Sequence, residues 1–153
     1  MAERLVLRLL GTFEVEADDK PVTHFEAASA RALLAYLGAH RKTPQLRSQL
    51  ATLLWSIDAG PTGLTNLRSA LRRVRNAVDC DHSPPTCLLT DRETVQLHPH
   101  LAVQVDVEQF DALLRSVQSH SHTSEYDCTE CIDYYRQALE LYRGTFLADL
   151  NVE

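Results

Sequence analysis

Residues 64–78, LTNLRSALRRVRNAV, are built to be a helix with one buried side. At about 3.6 residues per turn, Leu64, Leu67, Leu71, Val74 and Val78 fall into a single apolar stripe. The other side carries Arg68, Arg72, Arg73 and Arg75, interleaved with Thr65, Asn66, Ser69 and Asn76, and only Asp79 at the end brings a negative charge. Such a helix offers guanidinium, amide and hydroxyl groups outward while its opposite face packs. Two readings fit: a helix that enters the major groove of DNA, or an ordinary packed helix with a solvated basic face.

The segments around it narrow the choice. Arg4–Leu10 and Thr12–Glu16 alternate in the manner of short strands, Asp18-Asp19 supplies turn chemistry, and Pro21-Val22 opens a third extended piece. From Ala28 the period changes to helical, through Arg31, Ala32, Leu33, Ala35, Tyr36 and Leu37, ending near Gly38 to His40. Thr43-Pro44 reads as N-cap and first helical position of a second helix, with Leu46, Leu50, Leu53 and Leu54 inward, running to Trp55. Gly60, Pro61 and Gly63 mark a loop before the Arg-rich helix. Leu88–Thr90 and Thr94–Leu97 then form a hairpin about Asp91–Glu93. Short strands, three helices and a hairpin make a winged helix-turn-helix, with the third helix placed to read DNA.

Beyond residue 100 the pattern differs. Asp106 with Gln109 resembles a capping box opening a helix with Val107, Phe110, Leu113, Leu114 and Val117 inward. After a Ser/His-rich loop, 118–127, a second helix sets Ile132, Tyr135, Ala138, Leu139 and Tyr142 on one face and Gly144 at its C-cap. This is an α-helical hairpin, the unit of helical repeats, and Thr145–Leu150 leads towards a further helix. The predicted fold class is therefore α+β. Residues 1–100 form the winged helix and 101–153 the helical unit.

Charge agrees with that division. The net charge of −6 splits into +1 for residues 1–100 (12 basic against 11 acidic) and −7 for 101–153 (3 against 10). No apolar run approaches the ~20 residues of a membrane span, and no signal-peptide core precedes the first strand, so a cytoplasmic location is expected. Cys80, Cys87, Cys128 and Cys131, with His82, His98, His100, His120 and His122, raise zinc as an option. However, a lone CxxC where a helix begins favours ordinary thiols, and no metal is expected. Without a Gly-rich phosphate loop or a nucleophile beside a base, neither a cofactor nor an enzyme activity is expected.

An ordered series of fragments resembles the SARP (antibiotic-regulatory-protein) family of bacterial transcriptional activators. It comprises Leu9–Val15 (LLGTFEV), Arg31–Leu37 (RALLAYL), Leu53-Leu54-Trp55, Asn66–Leu71 (NLRSAL) with Val74-Arg75, Val105-Asp106-Val107 with Phe110, and Tyr142-Arg143-Gly144 with Phe146-Leu147. The resemblance implies an OmpR-type winged helix followed by the first TPR-like helices of a longer bacterial transcriptional activator domain. It also implies binding to promoter direct repeats by adjacent or dimeric protomers, recruitment of RNA polymerase through the loop Trp55–Thr62 (Trp55, Ser56, Ile57, Asp58 and Gly60 among them), and a wing tipped by Arg92. Two positions depart from the pattern: Ser29 stands where a Lys is usual, and Ser56 where a Pro is common.

Thr65, Ser69, Arg72, Arg73 and Asn76 are the candidates for base edges, since Arg and Asn pair bidentately with guanine and adenine. Arg31, Arg47, Arg68, Arg75 and Arg92 are candidates for phosphate. Trp55 is read first as a core anchor. The alternatives are a protein-interaction adaptor with little DNA affinity and a thiol- or zinc-gated sensor.

Overall fold

A computed structural model describes residues 3–25, 27–56, 60–78, 87–121 and 127–150. Strands β1 (Arg4–Arg8), β2 (Glu14–Ala17) and β3 (Lys20–Pro21) are followed by α1 (Ala28–Ala39), β4 (Gln45–Leu46), α2 (Arg47–Trp55) and α3 (Pro61–Val78). Then come β5 (Leu88–Thr90), β6 (Thr94–Leu97), β7 (Ala102–Val105), α4 (Asp106–Ser119) and α5 (Thr129–Leu141). The fold is α+β, a winged helix-turn-helix followed by an α-helical hairpin.

Two sheets frame the helices. The first has the order β3-β2-β1-β7, and the second, the wing, the order β4-β6-β5. β1 and β2 pair antiparallel with Leu7 opposite Val15, and Asp18 and Asp19 make the next turn with φ of +49° and +62°. Asp and Asn tolerate the left-handed region better than other side-bearing residues. Asp18 adds a second constraint, because its Oδ1 accepts the N–H groups of Glu3 (2.8 Å) and Arg4 (2.9 Å).

The core collects Leu5, Leu7 and Leu9 from β1 and its end, Leu33, Leu34 and Leu37 from α1, Leu50 from α2, Leu67 and Val74 from α3, Val95 from the wing and Val105 from β7. α1 approaches β1 so closely that a Cβ on Gly38 would lie 2.2 Å from Leu7 Cδ1. α3 buries Gly63, Leu67, Ala70, Leu71, Val74, Ala77 and Val78, leaving Leu64 half-buried. Full burial contributes about 1.5–3 kcal/mol for each Leu or Val. The helix is therefore held by its inner face, and its outer residues are free for another use.

Several expectations are corrected. Thr43-Pro44 does not cap α2. Gln45 and Leu46 instead pair with Val95 and Thr94, and the helix starts at Arg47. An unexpected strand, β7, pairs parallel with β1, with Arg4 opposite Ala102. Asp106 is no capping box. Val105 is the N-cap, without a side-chain cap hydrogen bond, and the buried Asp106 carboxylate turns back to accept the N–H groups of Leu9 and Leu10.

Helix α5 is rotated from the expected orientation. Cys131 and Ala138 are buried, whereas Ile132, Tyr135, Leu139 and Tyr142 are exposed. Residues 145–150 do not begin a helix; they return to the end of β1. Leu147 N–H donates to Leu9 O (2.8 Å), and Gly11 N–H donates to Thr145 O (3.0 Å). Gly11 has φ +107°, which favours glycine, and a Cβ there would lie 3.1 Å from Arg143 Cβ.

Candidate nucleic-acid interface

Pro61 at the first position of α3 is preorganised for a helix start, and no acidic residue occurs anywhere in Pro61–Val78. Opposite the buried stripe, Thr65, Arg68, Arg72, Arg73 and Asn76 are exposed, while Ser69 and Arg75 are half-buried. Thr65 spends its hydroxyl proton on Pro61 O (2.8 Å), so towards a base edge it acts as an acceptor. Arg75 Nη2 donates to Thr90 Oγ1 on β5 (2.8 Å), which joins α3 to the wing.

The arginines fall on two sides of the helix. Arg68 borders a cleft of 390 Å³ between α2, α3 and the wing tip, together with Arg47, Arg92, Ser48 and Glu93. Three arginines against one glutamate thus line one opening, an excess of positive charge that suits a phosphate. Arg73 and Asn76 lie at the other side, lining a 210 Å³ depression with His24 and Phe25. The segment preceding α1 carries no sequence pattern that would place His24 and Phe25 beside α3.

Most arginines away from this surface are ion-paired, Arg115 on α4 being an exception among the described residues. Arg4, Arg8, Arg31, Arg41, Arg136 and Arg143 all form salt bridges with carboxylates. Among the described residues, Arg47, Arg68, Arg72, Arg73 and Arg92 form none. Arg31, a candidate for phosphate, is held by Asp149 Oδ2 at 3.0 Å. That carboxylate also accepts the Phe13 N–H at 2.8 Å. Its pKa is lowered chiefly by the Phe13 hydrogen bond, with the Arg31 charge assisting against partial desolvation.

The wing tip is fixed by a single side chain. Asp91 Oδ1 accepts the N–H groups of Glu93 (2.7 Å) and Thr94 (2.6 Å), and Oδ2 accepts the Thr94 hydroxyl (2.7 Å). Arg47 N–H donates to Glu93 O (2.8 Å), tying the start of α2 to the same turn. Hydrogen bonds from Thr94 backbone, Thr94 side chain and Glu93 backbone, in that order, pull the Asp91 pKa below the usual carboxylate value, with the Arg47 charge adding to them. A depressed folded-state pKa means the contribution is complete above the unfolded pKa and is lost as pH falls through the folded one. The Thr94 amide is therefore expected to keep its position in NMR spectra from neutrality down to pH ~4 and to move only below it. In Asp91→Asn that acid transition should vanish. A Thr94 amide that titrates alike in both proteins would refute the assignment.

The loop expected to meet RNA polymerase is described in part. Trp55 is half-buried and packs on the core, Ser56 is exposed with φ +48°, and Gly60 is half-buried. Ile57 and Asp58 lie outside the described residues. No helix among the described residues is long and apolar enough to cross a membrane.

Neither a family model nor a curated protein matches the sequence. Among solved structures, the chain is similar to Mycobacterium tuberculosis EmbR in complex with a low-affinity phosphopeptide. The TM-score is 0.74 at 23% identity, over 96% of this chain and 38% of EmbR. At that identity the likeness is one of fold. The chain spans well under half the length of the protein it matches.

Proposed function

We propose that this chain is a sequence-reading DNA-binding transcriptional regulator. The observation that carries the reading is the cluster of six arginines on α2, α3 and the wing, Arg75 among them, that, among the described residues, form no salt bridge. In this reading α3 lies in the major groove. Arg72, Asn76, Thr65 and Ser69 meet base edges, Arg73 meets them from the side nearer His24, and Arg47, Arg68 and Arg92 grip phosphates. The fold shared with EmbR and the ordered fragments resembling the SARP family support an activator of that class. Such an activator occupies promoter direct repeats as adjacent or dimeric protomers in the cytoplasm and recruits RNA polymerase through the loop after Trp55. Arg31 and Arg75 have partners inside the chain and belong to the framework that positions the others.

The test is fluorescence anisotropy of a labelled duplex from the gene's own upstream region, beside a shuffled duplex, across a salt series. Preference for the native duplex with a steep salt slope is expected. Arg72→Ala should cost ~1–3 kcal/mol on the native duplex and relax specificity, whereas Arg68→Ala should weaken both duplexes alike and flatten the slope. Identical behaviour of the two variants would sink this division of roles, and equal weak binding of wild type to both duplexes would sink the reading itself. In that event the exposed apolar side of α5, Ile132, Tyr135, Leu139 and Tyr142, favours a protein-interaction module.

A further inference from the structure

We infer that His120, Cys128 and Cys131 form a zinc site that staples the end of α4 to the start of α5. The sequence alone favours ordinary thiols, because a single CxxC leaves the other ligands unspecified. Folding supplies the missing ligand. His120 is the C-cap of α4, Cys128 is the N-cap of α5, and Cys131 stands one turn further along. One ligand atom from each of the three lies within 4.8 Å of the others.

Two of the three ligand–ligand distances match the edges of a zinc tetrahedron, and the third is no longer than 4.8 Å. His120 Nδ1 is 3.4 Å from Cys131 Sγ and 3.4 Å from Cys128 Sγ. With Zn–S near 2.3 Å and Zn–N near 2.0–2.1 Å, a tetrahedron has an N···S edge of about 3.5 Å. The imidazole nitrogen thus already stands at zinc-site distance from each sulfur.

A second observation concerns the far side of the ring. His120 Nε2 lies 3.2 Å from Glu130 Oε2. With zinc on Nδ1 the Nε2–H would face this carboxylate, the arrangement found behind many zinc-bound imidazoles. Burial follows the same plan: Cys131 is fully buried, while Cys128 and His120 are half-buried, so the site has a packed floor and an open side. Entering Zn²⁺ displaces the two thiol protons to solvent, and the pair of thiolates sits at the positive end of α5. The fourth position falls to a solvent water, as in zinc sites with three protein ligands.

The full chain, reduced with a phosphine, is titrated with Co²⁺ and then with Zn²⁺. One equivalent of cobalt is expected to produce a thiolate-to-cobalt charge-transfer band and the intense visible bands of a tetrahedral ion, both erased by zinc. Cys128→Ser and His120→Ala, each with unchanged far-UV circular dichroism, should lose the charge-transfer intensity in part or whole, and Cys80→Ser should leave it intact. Glu130→Gln should retain the spectrum and weaken zinc ~10–100-fold in competition with a chromophoric chelator, which a merely structural Glu130 would not do. Zinc should also raise the thermal midpoint of the wild type and not that of Cys128→Ser. A reduced wild-type chain without the charge-transfer band, or a band indifferent to Cys128→Ser, overturns the inference.

Discussion

Replacing Asp106 with Ala is expected to remove about 3–5 kcal/mol of folding stability. The carboxylate is 6% exposed. It accepts the Leu9 N–H through both oxygens (2.8 and 2.9 Å), the Leu10 N–H (2.9 Å) and the Val107 N–H (2.8 Å). Leu9 and Leu10 are buried, so water cannot take over from the lost oxygens. Each stranded buried donor costs roughly 1–3 kcal/mol. Asn keeps one acceptor but points an N–H at another donor, so Asp106→Asn should fall between wild type and Ala. Urea unfolding with an unchanged m-value would measure this. A variant Asp106→Ala within 1 kcal/mol of wild type, a margin below the usual cost of one stranded donor, would show that β1 and α4 are held together by something else.

Ser56→Pro should be nearly as damaging, by about 3 kcal/mol or more. Ser56 closes α2 with φ +48° and ψ +24°, and its N–H donates to Thr52 O at 2.9 Å. Proline is confined to φ near −65° and has no N–H, so it offends both requirements at once. The resemblance that places a Pro here meets a backbone at Ser56 that cannot accept one. Ser56→Gly provides the opposite sign. The left-handed region costs a side-bearing residue about 1–2 kcal/mol and glycine's extra freedom when unfolded costs 0.5–1, so a net gain of about 0.5–1 kcal/mol is expected. Thermal unfolding that ranked Pro at or above Gly would remove the left-handed cap as the controlling feature.

What the sequence reveals divides by the range of the interactions concerned. α3 and the β5–β6 hairpin are legible because their signals are local: a stripe at helical spacing, and two short alternating runs about an Asp-led turn. β4 and β7 have no hairpin partner beside them in sequence, and pair instead with β6 and with β1 far along the chain. In α5 two neighbouring stripes are apolar, and periodicity cannot say which one meets α4; the smaller set, with Cys131 and Ala138, allows the closer packing and is the one buried. The candidate interface shows the same limit. Arg31 and Arg72 look alike in sequence, and only the return of Asp149, 118 residues after Arg31, separates a paired guanidinium from an unpaired one. Likewise the CxxC is visible, while the imidazole that completes it depends on where α4 ends.

The pairing of β7 with β1 and the grip of Asp106 on Leu9 and Leu10 have a mechanical meaning. The strand that backs the winged helix is also the mount of the helical hairpin, and the segment 145–150 is laced onto the same strand end. On the proposed reading, the hairpin is then a fixed arm rather than a tethered one. Its bearing around the DNA axis is set by the rotational phase at which α3 settles in the groove. For whatever the arm holds out, the distance between binding sites along a promoter is then also an angle.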